Sequence, residues 1–400
     1  MQKQTRLLMI APAPVLRTAT GYVLDGKFVE GMHLHCRYWP GPIDCILREG
    51  ATDIPFGATE ITGDTGFGLT VLPGDAEIEA RHLAGYDMIY CSADDARNFG
   101  IADRMTRTAG SKLTLVLEYT LKTRLQAAWL DRHRSVLRRL YSMAWLMRQE
   151  VRLRRFVRAA DGLQANGYPA HELYGRMNRN PLLYLDNRME PALFATDGEM
   201  AARKDHLLSG RPLRLVYSGR LENMKGAQDL VPIARALRDA GTRFHLNIFG
   251  TGSLSGRIAR DIAAAGLEET VTLHDPLDFE TELVPYMRKH ADIYLCCHRQ
   301  SDPSCTYVEN MGCGLTVAGY DNDMWAALCA ESAAGWTSPL GNPARIAQTI
   351  GMIDKDRPEI HRRSEKALAF ARQHNFPDEF RKRMTHMTDM LGEQDARHNA

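Results

Sequence analysis

Residues 302–314, DPSCTYVENMGCG, follow an apolar stretch at 291–297 that is typical of a buried strand. Asp302 is a favourable helix N-cap, and Pro303 suits the first helical position. Gly312 and Gly314 provide the helix exit. We therefore predict a short helix whose N-terminus points into the crevice at the end of a strand.

The first turn of this predicted helix would present the backbone amides of Ser304, Cys305 and Thr306, which lack partners inside a helix. Together with the helix dipole, these amides indicate a phosphate site. Glu309 lies about two turns beyond Asp302 on the same face, where its carboxylate can accept two hydrogen bonds from the vicinal hydroxyls of a ribose. A capped surface helix with a solvated Glu309 explains the same pattern, so both interpretations remain open.

Size and composition are those of a two-domain globular protein. The chain has 400 residues with 44% hydrophobic content, enough for two full cores. Lys and Arg number 50 against 49 Asp and Glu, so bulk charge gives no reason to expect a nucleic-acid partner.

The pattern of apolar runs and cysteines favours a cytoplasmic protein. No apolar run approaches the roughly 18–20 residues that span a bilayer. The start, MQKQTRLLMIAPAPVL, resembles a first strand more than a secretion signal. The eight cysteines form no Cys-x-x-Cys pair, so we expect reduced thiols and no structural zinc.

In the first half, apolar strands alternate with helices, which predicts a parallel, doubly wound α/β sheet. Ligands of such sheets bind outside the carboxyl ends of the strands. Polar or small residues follow several predicted strands there, and we expect them to lie near one crevice: Gly21, Ser92, Asp94 and Glu118.

The second half begins the strand and helix alternation again at 213–217, which indicates a second domain of the same class. We predict a first domain at 1–200, a charged link around 200–210 and a second domain at 205–375. The last helix, 376–392, is expected to pack back across the first domain.

Residues 121–158 are predicted as the longest helical stretch. They carry eleven basic residues, interleaved with aromatic and aliphatic ones, against Asp131 and Glu150. This pattern favours peripheral contact with an anionic membrane, at the inner face of the cell membrane for a cytoplasmic protein. An amphipathic helix that packs on its own domain, with solvated arginines, is the alternative.

The loop VYSGRLENMKG places Arg220 and Lys225 between a strand and a helix, where both can neutralise a diphosphate. The next strand ends in a turn containing Gly250 and Gly252, which lets a backbone approach a ligand but also simply turns the chain.

Four segments carry a family resemblance: VYSGRLENMKG, LNIFGTG, ADIYLCC and CTYVENMGCGLTVAGYDN, in that order, covering about 213–322. They resemble the donor domain of GT-B glycosyltransferases of the retaining family 4 type. The resemblance implies two Rossmann-like domains that face each other across a cleft. It also implies that Arg220 and Lys225 bind the donor diphosphate and that Glu309 binds the ribose.

The chain departs from that family at two places. The first Glu of the family's paired motif, which touches the donor sugar, is replaced by Ser301, and the neighbouring Asp302 either takes over its role or only caps the helix. The His that the family often places in its first domain is missing. Glu118 is our candidate to stabilise the developing oxocarbenium or to accept the acceptor proton. A Glu that only starts the next helix or pairs with an Arg is equally consistent.

Together these features imply a metal-independent, cofactor-free retaining glycosyltransferase. Its donor would be a nucleoside diphosphate sugar, with a UDP-sugar favoured. Its acceptor would be a glycan, a lipid-linked glycan or a glycolipid, bound on the acceptor side, in the first domain near Gly21, Ser92, Asp94 and Glu118. A nucleotide-sugar epimerase or hydrolase of the same fold and an inactive scaffold are the alternatives. A dinucleotide-dependent dehydrogenase is disfavoured because no Gly-x-Gly-x-x-Gly follows the first strand.

Overall fold

The structure, a computed structural model, describes residues 4–19, 21–50, 54, 58–61, 63, 65–105, 111–131 and 134–398, with side chains to residue 392. Residues 1–3 of the predicted first domain lie outside the described residues, as do Arg132 and His133 of the predicted basic helix.

The strands are β1 Leu7–Ile10, β2 Val15–Arg17, β3 Tyr22–Asp25, β4 Ile43–Arg48, β5 Ala58–Ile61, β6 Gly68–Leu72, β7 Met88–Ser92, β8 Lys112–Leu117, β9 Gly162–Asn166, β10 Pro181–Tyr184, β11 Leu213–Ser218, β12 Phe244–Phe249, β13 Val271–His274, β14 Ile293–Cys296, β15 Thr316–Tyr320 and β16 Gly335–Ser338.

The helices are α1 Gly26–Tyr38, α2 Ala80–Leu83, α3 Ile101–Met105, α4 Leu121–Leu130, α5 Val136–Ala159, α6 Tyr168–Tyr174, α7 Asp197–Leu208, α8 Leu230–Asp239, α9 Ser255–Ala264, α10 Val284–His290, α11 Thr306–Gly312, α12 Asp323–Ser332, α13 Pro343–Ile353, α14 Arg357–Gln373 and α15 Phe376–His398.

Two parallel sheets form the centres of two lobes. The first-lobe sheet has the order β10-β9-β8-β7-β1-β4-β6, and the second-lobe sheet has the order β13-β12-β11-β14-β15-β16. The central strands β1, β7, β9, β14 and β15 are buried along their whole length, because helices cover both faces of each sheet. The predicted α/β class with two doubly wound domains is confirmed.

A small antiparallel sheet, β2-β3-β5, was not predicted. It places Gly21 in the turn of the β2–β3 hairpin, where the Gly21 amide donates to Thr18 Oγ1 at 3.0 Å. Gly21 lines a surface groove with Tyr22 and Phe67, apart from Ser92, Asp94 and Glu118. The prediction that Gly21 belongs to the acceptor-side crevice is therefore wrong, because a local hairpin turn holds it elsewhere.

The segment predicted as a charged link at 200–210 is mostly helix α7. Thr196 and Glu199 form a reciprocal capping box that starts this helix. On its inner face Met200, Arg203 and Leu207 are buried in the second lobe. The sequence did not predict this helix because one of its buried positions is the charged Arg203, which interrupts the helical pattern of apolar residues.

The basic stretch contains two helices, of which α4 ends at Leu130 and α5 begins at Val136. The first half of α5 projects into solvent, with Leu137 80% and Tyr141 74% exposed. None of the helices in the described part of the chain has the length and apolar character that a membrane crossing requires.

Helix α15 crosses back to the first lobe. Its Phe380, Met384 and Met387 pack with buried residues of the first-lobe sheet such as Leu7 and Met88. The residue limits proposed for the two domains remain a prediction.

Candidate active site

A cavity of about 440 Å³, here the cleft cavity, lies between the lobes. A second cavity of about 470 Å³, the first-lobe cavity, lies at the carboxyl ends of β1, β7 and β8. Glu118 and Asp186 line both cavities, so the two spaces meet at these carboxylates. The arrangement can hold two molecules side by side, with their contact near Glu118 and Asp186.

The cleft cavity collects most of the residues predicted to bind a donor. Its second-lobe walls include these predicted residues: Arg220, Lys225, Gly250, Asp302, Ser304, Cys305 and Thr306. Further walls come from residues that were not predicted to bind a ligand, among them Asn166, Asp186, Arg188 and His298. Asn166 ends β9, and the other three lie two to four residues beyond the ends of β10 and β14, which is the signal that would have found them.

Asp302 does not cap the helix. Helix α11 begins only at Thr306, after the N-cap Cys305. The Asp302 carboxylate instead accepts a hydrogen bond from Lys225, and both side chains are about nine-tenths buried. The N-cap prediction is therefore wrong, because a cation in the facing loop competes successfully for the carboxylate.

A buried histidine, His298, lies next to this ion pair. His298 Nδ1 lies 3.7 Å from Asp302 Oδ1. Burial, with the nearby Lys225 charge, lowers the pKa of His298 to about 3, so its ring is neutral. Burial alone would raise the pKa of Asp302, but Lys225 together with His298 and Gln300 holds that pKa below the usual range. Within the described chain Asp302 Oδ1 is buried and has no hydrogen-bond partner, so a ligand hydroxyl reaches it only if the surrounding side chains move.

Arg220 is an exposed cation at the mouth of the cleft cavity. Its side chain makes a weak contact within the protein, from Nη2 to Met224 Sδ at 3.9 Å. The neighbouring Glu222 is engaged instead by the Ser253 amide and hydroxyl, at 2.7 and 2.6 Å. Arg220 is thus free to turn toward an anion in the cavity.

The glycines of the two loops serve close packing. A Cβ on Gly250, whose φ is +142°, would lie 2.0 Å from the Gly219 carbonyl oxygen. A Cβ on Gly252 would lie 2.6 Å from the Leu221 carbonyl oxygen. Gly250 lines the cleft cavity and Gly252 does not, so contact of Gly252 with a ligand stays a prediction without a geometric basis.

Glu309 lies behind the cleft wall rather than on it. It is 2% exposed and is paired with Arg188, with Nε–Oε1 at 2.7 Å and Nη2–Oε2 at 3.2 Å. The Arg188 guanidinium, which does line the cavity, also stacks 3.7 Å from the centre of the Phe279 ring. The Glu309 carboxylate can reach a ribose only if Arg188 moves away. If Arg188 stays in place, Glu309 acts by fixing the position of the Arg188 guanidinium.

Ser301 joins the lobes instead of lining the cavity. Its amide donates to Gln126 Oε1 at 3.2 Å, and its carbonyl oxygen accepts from Thr123 Oγ1 at 3.2 Å. Its hydroxyl accepts from the Asp323 amide, and Asp323 in turn pairs with Lys122 at 2.7 Å. Ser301 therefore holds α4 against the second lobe.

The first-lobe cavity contains three carboxylates at strand ends. Asp94 accepts hydrogen bonds from the amides of Glu118 and Tyr119, at 2.8 and 3.2 Å. Asn166 donates to Glu118 at 3.3 Å and accepts from the Asp186 amide at 3.2 Å. Burial, with the charges of Asp94 and Asp186, raises the pKa of Glu118 to about 7, and burial raises the pKa of Asp94 to about 6. Glu118 can therefore accept or release a proton near neutral pH.

Ser92 lines the same cavity, and its carbonyl oxygen accepts from Asn98 Nδ2 at 2.9 Å. Among the described residues, no group of three His, Cys, Asp or Glu side chains is placed to hold a metal ion.

Known proteins match the chain in sequence and in fold. The family model for glycosyl transferases group 1 matches residues 199–370. Amylovoran biosynthesis glycosyltransferase AmsK of Erwinia amylovora is 26% identical over 164 residues, which are 38% of each protein. D-inositol 3-phosphate glycosyltransferase of Arthrobacter sp. (strain FB24) is 32% identical over 107 residues, 26% of this chain and 25% of that protein. The matches thus span well under half the length of these curated relatives.

The fold of the whole chain is matched by a solved structure, that of Anabaena Alr3699/HepE in complex with UDP. The TM-score is 0.62 at 13% identity, over 96% of this chain and 99% of that one. Residues 199–370 therefore match the glycosyl transferases group 1 family, and the whole chain has the two-domain GT-B fold.

Proposed function

We propose that this protein transfers a sugar from a UDP-sugar, with retention at the anomeric carbon, to a hydroxyl of a glycan, lipid-linked glycan or glycolipid. One observation carries the proposal: the unpaired Arg220 guanidinium and Lys225 face the same interlobe cavity. The UDP bound in the Anabaena structure supports the choice of nucleotide.

The difficult step of such a transfer is departure of the diphosphate. As the bond between the anomeric carbon and the phosphate oxygen breaks, negative charge develops on that oxygen. Arg220 and Lys225, which line the cleft cavity, would stabilise this charge. Two side-chain cations thereby serve the role that a metal ion plays in other phosphate sites.

The acceptor is assigned to the first-lobe cavity, because that cavity meets the cleft cavity at Glu118 and Asp186. Glu118, whose pKa is raised to about 7, is the proposed group that takes the acceptor proton or stabilises the oxocarbenium. The separate acceptor space also favours transfer over epimerisation. Incubation with UDP-sugars alone distinguishes the two, since an epimerase converts its substrate without an acceptor.

A thermal-shift screen across nucleotide sugars tests donor binding, since a ligand that binds only the folded chain raises Tm. We expect UDP-sugars to raise Tm more than other nucleotide sugars. If no nucleotide or nucleotide sugar shifts Tm, the inactive scaffold is favoured and the transferase proposal fails.

Asp302→Asn is expected to tighten UDP binding by about threefold to tenfold, a gain of roughly 1 kcal/mol. The substitution removes a carboxylate that competes with phosphate for Lys225. Sugar transfer should nevertheless fall, because Asp302 Oδ1 is the proposed acceptor for a donor-sugar hydroxyl. Calorimetry with UDP measures the first effect, and Asp323→Asn serves as the control. Weaker UDP binding in Asp302→Asn would contradict the proposed competition between the Asp302 carboxylate and phosphate for Lys225.

We further propose that α5 attaches the enzyme to an anionic membrane surface. The helix carries seven arginines and one glutamate. Among its exposed apolar side chains are Leu137, Tyr141 and Trp145. Exposed rings and aliphatic groups beside arginines match the interface of a bilayer that contains anionic lipids.

Replacing Leu137, Tyr141 and Trp145 by serine should reduce partition onto phosphatidylglycerol-containing vesicles by about a hundredfold, since each apolar side chain loses its burial in lipid. Vesicle flotation measures the partition. Leu340→Ser with Met352→Ser, two exposed apolar residues of the second lobe, is the matched control. Equal binding of the triple variant, or equal binding to uncharged vesicles, would contradict the proposal.

A further inference from the structure

Arg383 on α15 is a buried cation in the wall of the first-lobe cavity. Its Nη2 donates to the Tyr90 hydroxyl at 2.6 Å, and its Nε donates to Gln164 Oε1 at 3.2 Å. Gln164 returns a hydrogen bond from Nε2 to the Arg383 carbonyl oxygen at 2.8 Å. The Tyr184 ring lies 4.3 Å from the guanidinium carbon. These contacts fix the position of the guanidinium within the first lobe.

The charges around this cavity are unbalanced. Asp94, Glu118 and Asp186 are three potential anions, and Arg383 is the charged base among the residues that line it. His35 supplies no second cation, because burial, with the Arg383 charge, lowers its pKa to about 3. Two carboxylates that converge without a cation cannot both stay ionised at neutral pH.

We propose that Arg383 is a positioning residue for Glu118, and that its fixed positive charge keeps this carboxylate ionised at the junction of the two cavities. The inference rests on the proposed transfer, in which Glu118 must be unprotonated to accept the acceptor proton. Without Arg383, Glu118 would hold its proton at pH 7 and would donate rather than accept. The C-terminal helix would thus contribute directly to the chemistry of the first lobe.

Several other charged or titratable groups line the two cavities. On the first-lobe side these are Lys27, His35, Tyr90, Asp94, Tyr119, Tyr184 and Asp186, and across the cleft they are Arg188, Arg220, Lys225, His298 and Asp302. Arg383 differs from the cleft cations in lining the first-lobe cavity itself, together with Glu118 and Asp186.

The test is a ¹³C NMR titration of protein labelled at the glutamate carboxyl carbons, with the Glu118 signal identified by its loss in Glu118→Gln. We expect a wild-type midpoint near pH 7. Arg383→Met should raise the midpoint by about one pH unit, and Arg383→Lys should restore most of the shift. Arg381→Met, an exposed neighbour on the same helix, should leave it unchanged.

A second variant keeps the test decisive if Arg383→Met folds poorly. Arg383→Gln keeps a side-chain amide that can donate to Tyr90 and removes only the positive charge, so it should raise the Glu118 midpoint as Arg383→Met does. Equal midpoints in wild type, Arg383→Met and Arg383→Lys would overturn the inference, and so would an unchanged midpoint in Arg383→Gln. Absence of UDP binding in the wild type would instead reject the proposed function and leave the titration valid.

Discussion

Arg220→Ala is expected to lower kcat/KM for turnover of the UDP-sugar by about 10²- to 10³-fold. UDP affinity should fall less, by about tenfold to hundredfold, the worth of a charge-assisted hydrogen bond. The larger loss in turnover follows because the charge on the leaving diphosphate grows in the transition state. Arg220 is exposed and makes little contact within the protein, so Tm without ligand should not change.

Kinetic assays and calorimetry on the same variants check this result. Arg220→Lys retains the charge but loses the planar fork of donors, so an intermediate loss is expected. Arg235→Ala removes an exposed arginine elsewhere in the second lobe and is the matched control. If Arg220→Ala and Arg235→Ala turned over UDP-sugar at equal rates, the assignment of Arg220 to the diphosphate would be wrong.

Arg203→Met is expected to lower the free energy of unfolding of the second lobe by about 3 kcal/mol or more. Arg203 is 1% exposed. It donates to the carbonyl oxygens of Ala291 and Arg288 at 2.9 Å, after and within α10. It also donates to those of Cys313 and Gly314, at 2.9 and 2.7 Å, after α11. A methionine fills the space but leaves several buried carbonyl groups without a donor.

Urea unfolding followed by tryptophan fluorescence includes a signal from this lobe, because Trp325 lies in its core and Trp336 packs against it. Lys204→Met, at an exposed position of the same helix, should change the free energy by less than about 0.5 kcal/mol. If Arg203→Met lowered the free energy of unfolding no more than Lys204→Met does, the proposed role of Arg203 as donor to the carbonyl groups at the ends of α10 and α11 would be contradicted. Since Arg203 holds the end of α11, the variant should also weaken UDP binding.

The alternation of strands and helices predicted the layout of both lobes, since long apolar runs separated by helical periods permit few other arrangements. The sequence also placed Arg220 and Lys225 correctly in one loop at the end of a strand. Such features depend on neighbours in sequence, which local patterns describe well. Helix α7 escaped prediction because Arg203 is buried through long-range bonds to carbonyl groups that no local pattern reveals.

The finer geometry of the site depends on partners distant in sequence. The sequence predicted that Asp302 caps a helix, but in the structure Asp302 pairs with Lys225, which is 77 residues away. Arg188 and Glu309 are 121 residues apart, and Arg383 meets Tyr90 across 293. Only the fold brings such pairs together. The polar run after β10, which contains Asp186 and Arg188, was visible in the sequence, but its two roles required the structure.

The most direct test of the central claim is a crystal structure of the protein with UDP. We predict the diphosphate in the cleft cavity, with Arg220 and Lys225 within hydrogen-bond distance of its oxygens and residues 304–306 on its other side. UDP bound outside the cleft cavity, or a diphosphate that neither cation touches, would contradict the proposed sugar transfer.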